Sequence, residues 1–198
     1  MNAFAKCLQG TDIWVISDEI YEKLVYDGAK HFSIAKVYEK TVLINGLSKS
    51  QAMTGWRVGY TACCSVLAKA MTDLQSQTTS NINTPTQYAA LEALTNPKTV
   101  QFEHDMVESL DKRRKYMIER LSKMQNVTII KPKGAFYVMV NIAHFGTAHS
   151  VATELLEKYN VAVIPCESFG APDYIRLSYT LPMDEIKEGL DRMEKYLI

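Results

Sequence analysis

Two short, β-branched apolar runs, Ile13–Ser17 and Thr41–Ile44, constrain this chain more than any other feature. Neither alternates apolar with polar residues, which is the pattern of strands covered on both faces, as in a parallel sheet. Each stops in polar residues, Asp18 after the first and Asn45-Gly46 after the second. Arg57–Cys63 reads as a third strand. In open α/β sheets ligands collect just beyond the carboxyl ends of strands, so Asp18 and the residues after Gly46 stand where chemistry is expected. The predicted class is α/β.

The remaining elements follow from periodicity and punctuation. Residues 2–9 read as a helix tail closed by Gly10. Ser65–Gln77 and Thr84–Leu94 read as helices, the second with Thr84 as N-cap and Pro85 in its first turn. Asn96-Pro97 marks a boundary. Beyond it Thr99–Met124 is a long amphipathic helix with Phe102, Met106, Leu110, Met117 and Leu121 among charges. Strands follow at Val127–Ile130, Ala135–Asn141, Val161–Ile164 and Tyr174–Ser178, with helices at Thr147–Tyr159 and Met183–Leu197. The expected division is residues 1–97, part of a larger α/β domain, and residues 98–198, a small α+β domain. Trp14 and Trp56 are expected in the core, and Asp111–Lys115 on a solvated helix face.

Bulk composition narrows the function classes. The 198 residues carry a formal net charge of zero and 47% hydrophobic residues, which argues against nucleic acid or an anionic membrane as partner. No apolar run approaches the ~20 residues that span a bilayer, and the first twenty residues lack a secretory pattern. Cys7, Cys63, Cys64 and Cys166 show no C-x-x-C or zinc spacing, so buried reduced thiols and a cytoplasmic setting are expected. His144 and His149 have no metal-ligand spacing, and no metal is predicted.

The stretch from Asn45 to Tyr60 carries the chemistry. Lys49 leaves a Gly/Ser-bearing turn, and Arg57 follows between Gly55 and Gly59. A lysine amine, once desolvated or set beside other cations, forms a Schiff base with an aldehyde. An arginine flanked by glycines suits a phosphate, because its planar fork binds oxyanions and glycines permit close backbone approach. An aldehyde that carries a phosphate is pyridoxal phosphate (PLP).

Ser48-Lys49, followed by Met53-Thr54-Gly55-Trp56-Arg57 and Gly59-Tyr60, resembles the lysine loop of the class I, aspartate-aminotransferase-like PLP enzymes of fold type I. Val15 to Tyr21 resembles that family's aspartate strand, and Phe169-Gly170 with Tyr174–Tyr179 its substrate-arginine strand. The resemblance covers the family's C-terminal half only. It implies a fragment of the PLP-binding large domain followed by the small C-terminal domain, and a homodimeric parent acting on an amino acid and a 2-oxo acid. Lys49 would then hold the cofactor and act as acid–base. Asp18 would pair with the pyridine nitrogen, keeping the ring an electron sink. Tyr21 would donate to the ring oxygen, Arg57 and more weakly Ser48 would bind the phosphate, and Arg176 would grip the substrate α-carboxylate. Gly46 replaces a serine that many members carry, and Pro165-Cys166 replaces a common Pro-Gly. Two alternatives accompany this reading: a related PLP-dependent β-lyase, and a non-catalytic fragment that self-associates through uncovered surfaces.

Overall fold

The computed structural model describes residues 1–197 and divides into two compact units, Met1–Asp105 and a second beginning at Met106. In the first unit, α1 (Asn2–Leu8) buries Ala5 and Leu8 and gives way to Gly10 at φ 76°. β1 (Val15–Asp18) runs parallel to β2 (Thr41–Gly46), with Asp18 opposite Ile44. β3 (Gly59–Ala62) pairs antiparallel with β2, so the sheet is mixed, in the order β1-β2-β3. The link from β2 to β3 holds only turns and a short 3-10 turn at Thr54–Trp56; without a crossover helix the chain returns antiparallel. Gly46 faces Gly59 in this pairing. A Cβ on Gly46 would lie 2.9 Å from the Val58 carbonyl, so two bare backbones are what let the strands meet there.

Three helices follow: α2 (Ser65–Thr78), α3 (Thr84–Thr95) and α4 (Pro97–Leu121), the last crossing the division between the units. The cap of α3 is Asn83 rather than Thr84: Asn83 keeps an extended backbone, and its side-chain oxygen accepts from the Thr86 N–H at 2.9 Å.

The core of this unit is small, built from Leu24, Tyr26, Ile34, Leu47 and Met53. The expectation of doubly covered strands fails for β1, where Ile16 is 71% exposed. Trp14 and Trp56 are each 47% exposed rather than core residues, because a three-stranded sheet offers too little apolar area to cover them. α2 buries no residue at all.

The second unit holds a four-stranded antiparallel sheet in the order β4-β5-β7-β6. Its strands are β4 (Thr128–Ile130), β5 (Tyr137–Asn141), β6 (Ile164–Pro165) and β7 (Tyr174–Ser178). Val138 and Val140 of β5 and Ile175 and Leu177 of β7 alternate inward. α5 (Ala148–Tyr159) contributes Val151 and Leu155, and α6 (Met183–Tyr196) contributes Ile186, Leu190 and Met193. Thr147 caps α5 by accepting from the Ser150 N–H, and Asn160 closes it in a left-handed conformation. β6 starts later than the sequence suggested, because the Val161 N–H is used at the end of α5, on the Leu155 carbonyl.

Arg114 does not lie on a solvated face: it is 3% exposed, pairs with Asp111 at 2.7 Å and donates to the Pro132 carbonyl at 2.8 Å. Of the four free cysteines only Cys166 is buried; Cys7 and Cys64 are exposed and Cys63 intermediate. No helix among the described residues is long and apolar enough to cross a membrane.

Candidate active site

The parallel register of β1 and β2 sets their carboxyl ends side by side, and four of the six candidate residues follow from those two ends. Asp18 closes β1. Its Oδ1 accepts from the Ile20 N–H at 3.1 Å, which bends the chain out of the strand, and no cation pairs with this exposed carboxylate among the described residues. The chain then turns through Glu22 N–H to Glu19 carbonyl and Leu24 N–H to Tyr21 carbonyl, both 2.9 Å, with Leu24 fully buried beneath. Tyr21 rides on this turn.

Ser48 and Lys49, both half-buried, lie in the turn that follows β2. The Lys49 Nζ stands 5.9 Å from the Tyr21 ring centroid, so the amine and the phenol are neighbours. Arg57 precedes β3, and the Leu47 N–H to Val58 carbonyl bond at 3.4 Å holds its segment beside the lysine turn. Arg57 adopts a left-handed backbone, φ 54°, unusual for a side chain of its size, and donates to the Thr54 carbonyl at 2.8 Å. It has no carboxylate partner among the described residues. Its neighbour Gly59 is explained by the strand pairing, with the Asn45 carbonyl 3.0 Å from where a Cβ would sit.

Sequence reasoning passed over Glu19, His31 and Ser33. Glu19 is buried, and its carboxylate accepts from Ser17 Oγ at 3.0 Å, Ser33 Oγ at 2.7 Å and His31 Nε2 at 2.6 Å. Burial pushes this carboxyl up, but the hydrogen bonds from Ser33, His31 and Ser17 and the His31 charge outweigh it, leaving the group below its ordinary value. Ligand atoms of Glu19, Glu22 and His31 lie within 4.8 Å of one another. No spacing rule in the sequence links the three, and the burial of Glu19 beside the end of β1 shows only in the fold.

Arg176 belongs to the second unit. It sits mid-strand in β7, opposite Met139 of β5 and Ile164 of β6. Its guanidinium lies 4.3 Å from the Tyr137 ring centroid and 4.9 Å from that of Phe169. The buried Nε has no hydrogen-bond partner, and no carboxylate pairs with the group among the described residues. A cation oriented by two rings and left one bond short is suited to an anionic ligand. Cys166, which caps the 3-10 turn bearing Phe169, has its thiol pushed up by burial against the opposing Arg176 charge, so it is not a ready nucleophile.

A cleft of about 690 Å³ opens elsewhere in the first unit, lined by Leu8, Thr11, Asp12, Lys36, Tyr38 and Lys40, and shares no residue with the Lys49 cluster. The side chains at the ends of β1 and β2 and before β3 have the chemistry that PLP needs: an amine for an aldehyde, a phenol, and, among the described residues, a carboxylate without a cation partner for a ring nitrogen and an arginine without a carboxylate partner for a phosphate.

Comparison with known proteins agrees with that chemistry. The family model "Aminotransferase class I and II" matches residues 2–193. An aspartate aminotransferase of Bacillus sp. (strain YM-2) is 41% identical over 207 residues, covering 100% of this chain and 52% of that protein. A probable aspartate/prephenate aminotransferase of Aquifex aeolicus is 42% identical, covering 93% of this chain and 49% of that one. Among solved structures, an aromatic aminotransferase from Pyrococcus horikoshii OT3 superposes with a TM-score of 0.94 at 37% identity, covering 98% of this chain and 54% of the other. The chain spans about half the length of the curated relatives it matches.

Proposed function

Because the chain belongs to the class I and II aminotransferase family, whose members are PLP-dependent enzymes, we propose that it carries the lysine-bearing portion of an enzyme that moves an amino group from an amino acid to a 2-oxo acid. Residues 1–97 correspond in this reading to the C-terminal part of the large PLP-binding domain, and residues 98–198 to the small domain. The observation that carries it is the grouping at the ends of β1 and β2: an Asp18 carboxylate with no cation partner among the described residues, and a Lys49 amine 5.9 Å from the Tyr21 ring.

When bound, PLP supplies an electron sink for the charge left at the substrate Cα. Lys49 Nζ would hold the cofactor's aldehyde carbon and, once the substrate amine displaces it, would take the proton from the substrate Cα as a free amine. Asp18 would pair with the ring nitrogen and favour its protonated form. Tyr21 would donate to the ring oxygen, and Arg57, with Ser48 as a weaker second contact, would hold the phosphate. Arg176 binds the substrate α-carboxylate, for which its unpartnered Nε is the supporting observation. Aspartate is the amino donor to try first, since several relatives are aspartate aminotransferases. The parent enzyme is a cytoplasmic homodimer in this reading, with neither nucleic acid nor membrane as partner.

The test is transamination from aspartate to a 2-oxo acid, with and without Lys49→Ala. Loss of an acid–base lysine lowers the rate by roughly 10²–10⁴-fold; an unchanged rate would contradict the mechanism. Release of pyruvate and ammonia from an amino acid that carries a thiolate leaving group at Cβ, with no 2-oxo acid added, would assign the site to a β-lyase.

A second reading rests on the exposed apolar side chains of the first unit, among them Ile16, Val66, Leu91 and Val100. As a chain half the length of its relatives, the protein would self-associate through these surfaces without catalysing the reaction. A monomer whose sedimentation is independent of concentration argues against that, and activity of the purified chain rules it out.

A further inference from the structure

We infer that Glu19 is a positioning residue whose carboxylate fixes the turn carrying Asp18 and Tyr21, and so sets how both reach the cofactor; this rests on the function proposed above. Three side chains from two segments converge on it. Ser17 binds it from within β1, while His31 and Ser33 bind it from a loop twelve and fourteen residues away. Ser33 is itself buried and caps the short 3-10 turn Ile34–Lys36 by accepting from the Ala35 N–H, so the loop end of the contact is rigid.

The backbone of the same residue ties in the rest. Its N–H donates to the Ile44 carbonyl at 2.8 Å, just before the Asn45-Gly46 step into the lysine turn. Its carbonyl accepts from the Glu22 N–H, closing the turn on which Tyr21 rides. Asp18 precedes Glu19 and Tyr21 follows two residues later, so any rotation of this residue moves both.

Fold stability alone would not require a carboxylate here. Burying an ionised group is costly unless it is fully bonded, and an apolar residue of similar size commonly fills such a slot at no loss. Directional bonds to three donors specify an orientation, which packing alone does not. A metal is the competing use of Glu19, Glu22 and His31. Both Glu19 oxygens and the His31 Nε2 are already engaged with one another or with serines, so the cluster is closed as it stands.

The experiment compares wild type, Glu19→Ala, Glu19→Gln and Lys49→Ala in the 198-residue chain. Without cofactor, Glu19→Ala should speed hydrogen exchange at the Glu22 and Leu24 amides at least roughly tenfold. With PLP, wild type and Glu19→Ala should both label at Lys49 after borohydride reduction. The pH midpoint of the visible band should rise by about 0.5 unit in Glu19→Ala, as Tyr21 loses its donation to the ring oxygen, and PLP should bind roughly tenfold more weakly. Glu19→Gln, which can still accept from both serines, should fall between. If Glu19→Ala does not fold, Ser33→Ala and His31→Ala carry the test, with smaller shifts of the same sign. A wild-type midpoint and affinity in the folded variants would overturn the inference while the Lys49 label stands. Stoichiometric zinc uptake lost in Glu19→Ala would overturn it in favour of a metal site. No label on wild-type Lys49 would overturn the cofactor reading itself, and the inference with it.

Discussion

In the second unit, β5 and β7 turn alternate apolar side chains inward to meet Val151 and Leu155 of α5 and Leu190 and Met193 of α6, all nearly inaccessible. In the first unit, β1 leaves Ile16 in solvent, and α2 carries Val66 at 80% exposure with no buried residue to offset it. The difference is in what covers the apolar residues, since both units are rich in them. A period-two strand needs only one covered face, which a pair of helices provides. A doubly apolar strand needs two covered faces, and a three-stranded sheet does not provide them. The unit that carries most of the candidate site residues is therefore also the one with the smaller core.

The largest expected effect probes that contrast directly. Leu155→Ala removes a fully buried side chain and should lower the free energy of unfolding by about 2–5 kcal/mol in a urea titration. Val66→Ala should change it by less than about 0.5 kcal/mol. Equal losses would mean that Val66 is covered in solution and would collapse the comparison.

Arg114→Ala should cost roughly 2–3 kcal/mol, less than a fully buried pair because Asp111 is partly exposed. The same pair predicts a pH dependence. Burial pushes the Asp111 carboxyl up, but the hydrogen bonds and charges of Lys115 and Arg114 outweigh it and hold it below 3.8. A depressed carboxyl stabilises the fold above its unfolded value and loses that contribution as pH falls through the lower folded value. Acid titration of unfolding should therefore show a loss below about pH 4 that Arg114→Ala reduces.

A smaller effect belongs to Tyr179→Phe, which removes the bond to the Ala135 carbonyl from a fully buried ring and should cost about 1 kcal/mol. The smallest stability change is expected for Val66→Lys in the first unit, within about 0.5 kcal/mol. Its value is a different readout: if exposed apolar surface drives association, sedimentation should shift toward monomer.

Much of the second unit was legible because its signals are local. Tyr174–Ser178 is a strand with the predicted bounds, and Thr147 and Asn160 close α5 as a cap and a left-handed stop. The first unit was legible in its order of elements but not in its burial. Ile13–Ser17 reads as a doubly covered strand because composition records what a strand is suited to, not what lies against it. Asp18, Lys49 and Arg57 could be named as candidates because each stands at a strand end or among glycines. Glu19 could not, since its hydrogen bonds come from His31 and Ser33, which no spacing rule links to it. Arg114 was misread for a similar reason: its burial depends on the Pro132 carbonyl, far along the chain.

The most direct measurement is to incubate the purified chain with PLP, reduce with borohydride and map the labelled peptide. The account predicts a visible band, label concentrated on Lys49, and loss of both in Lys49→Ala. Label spread over exposed lysines such as Lys23 and Lys30, with none enriched at Lys49, would contradict it.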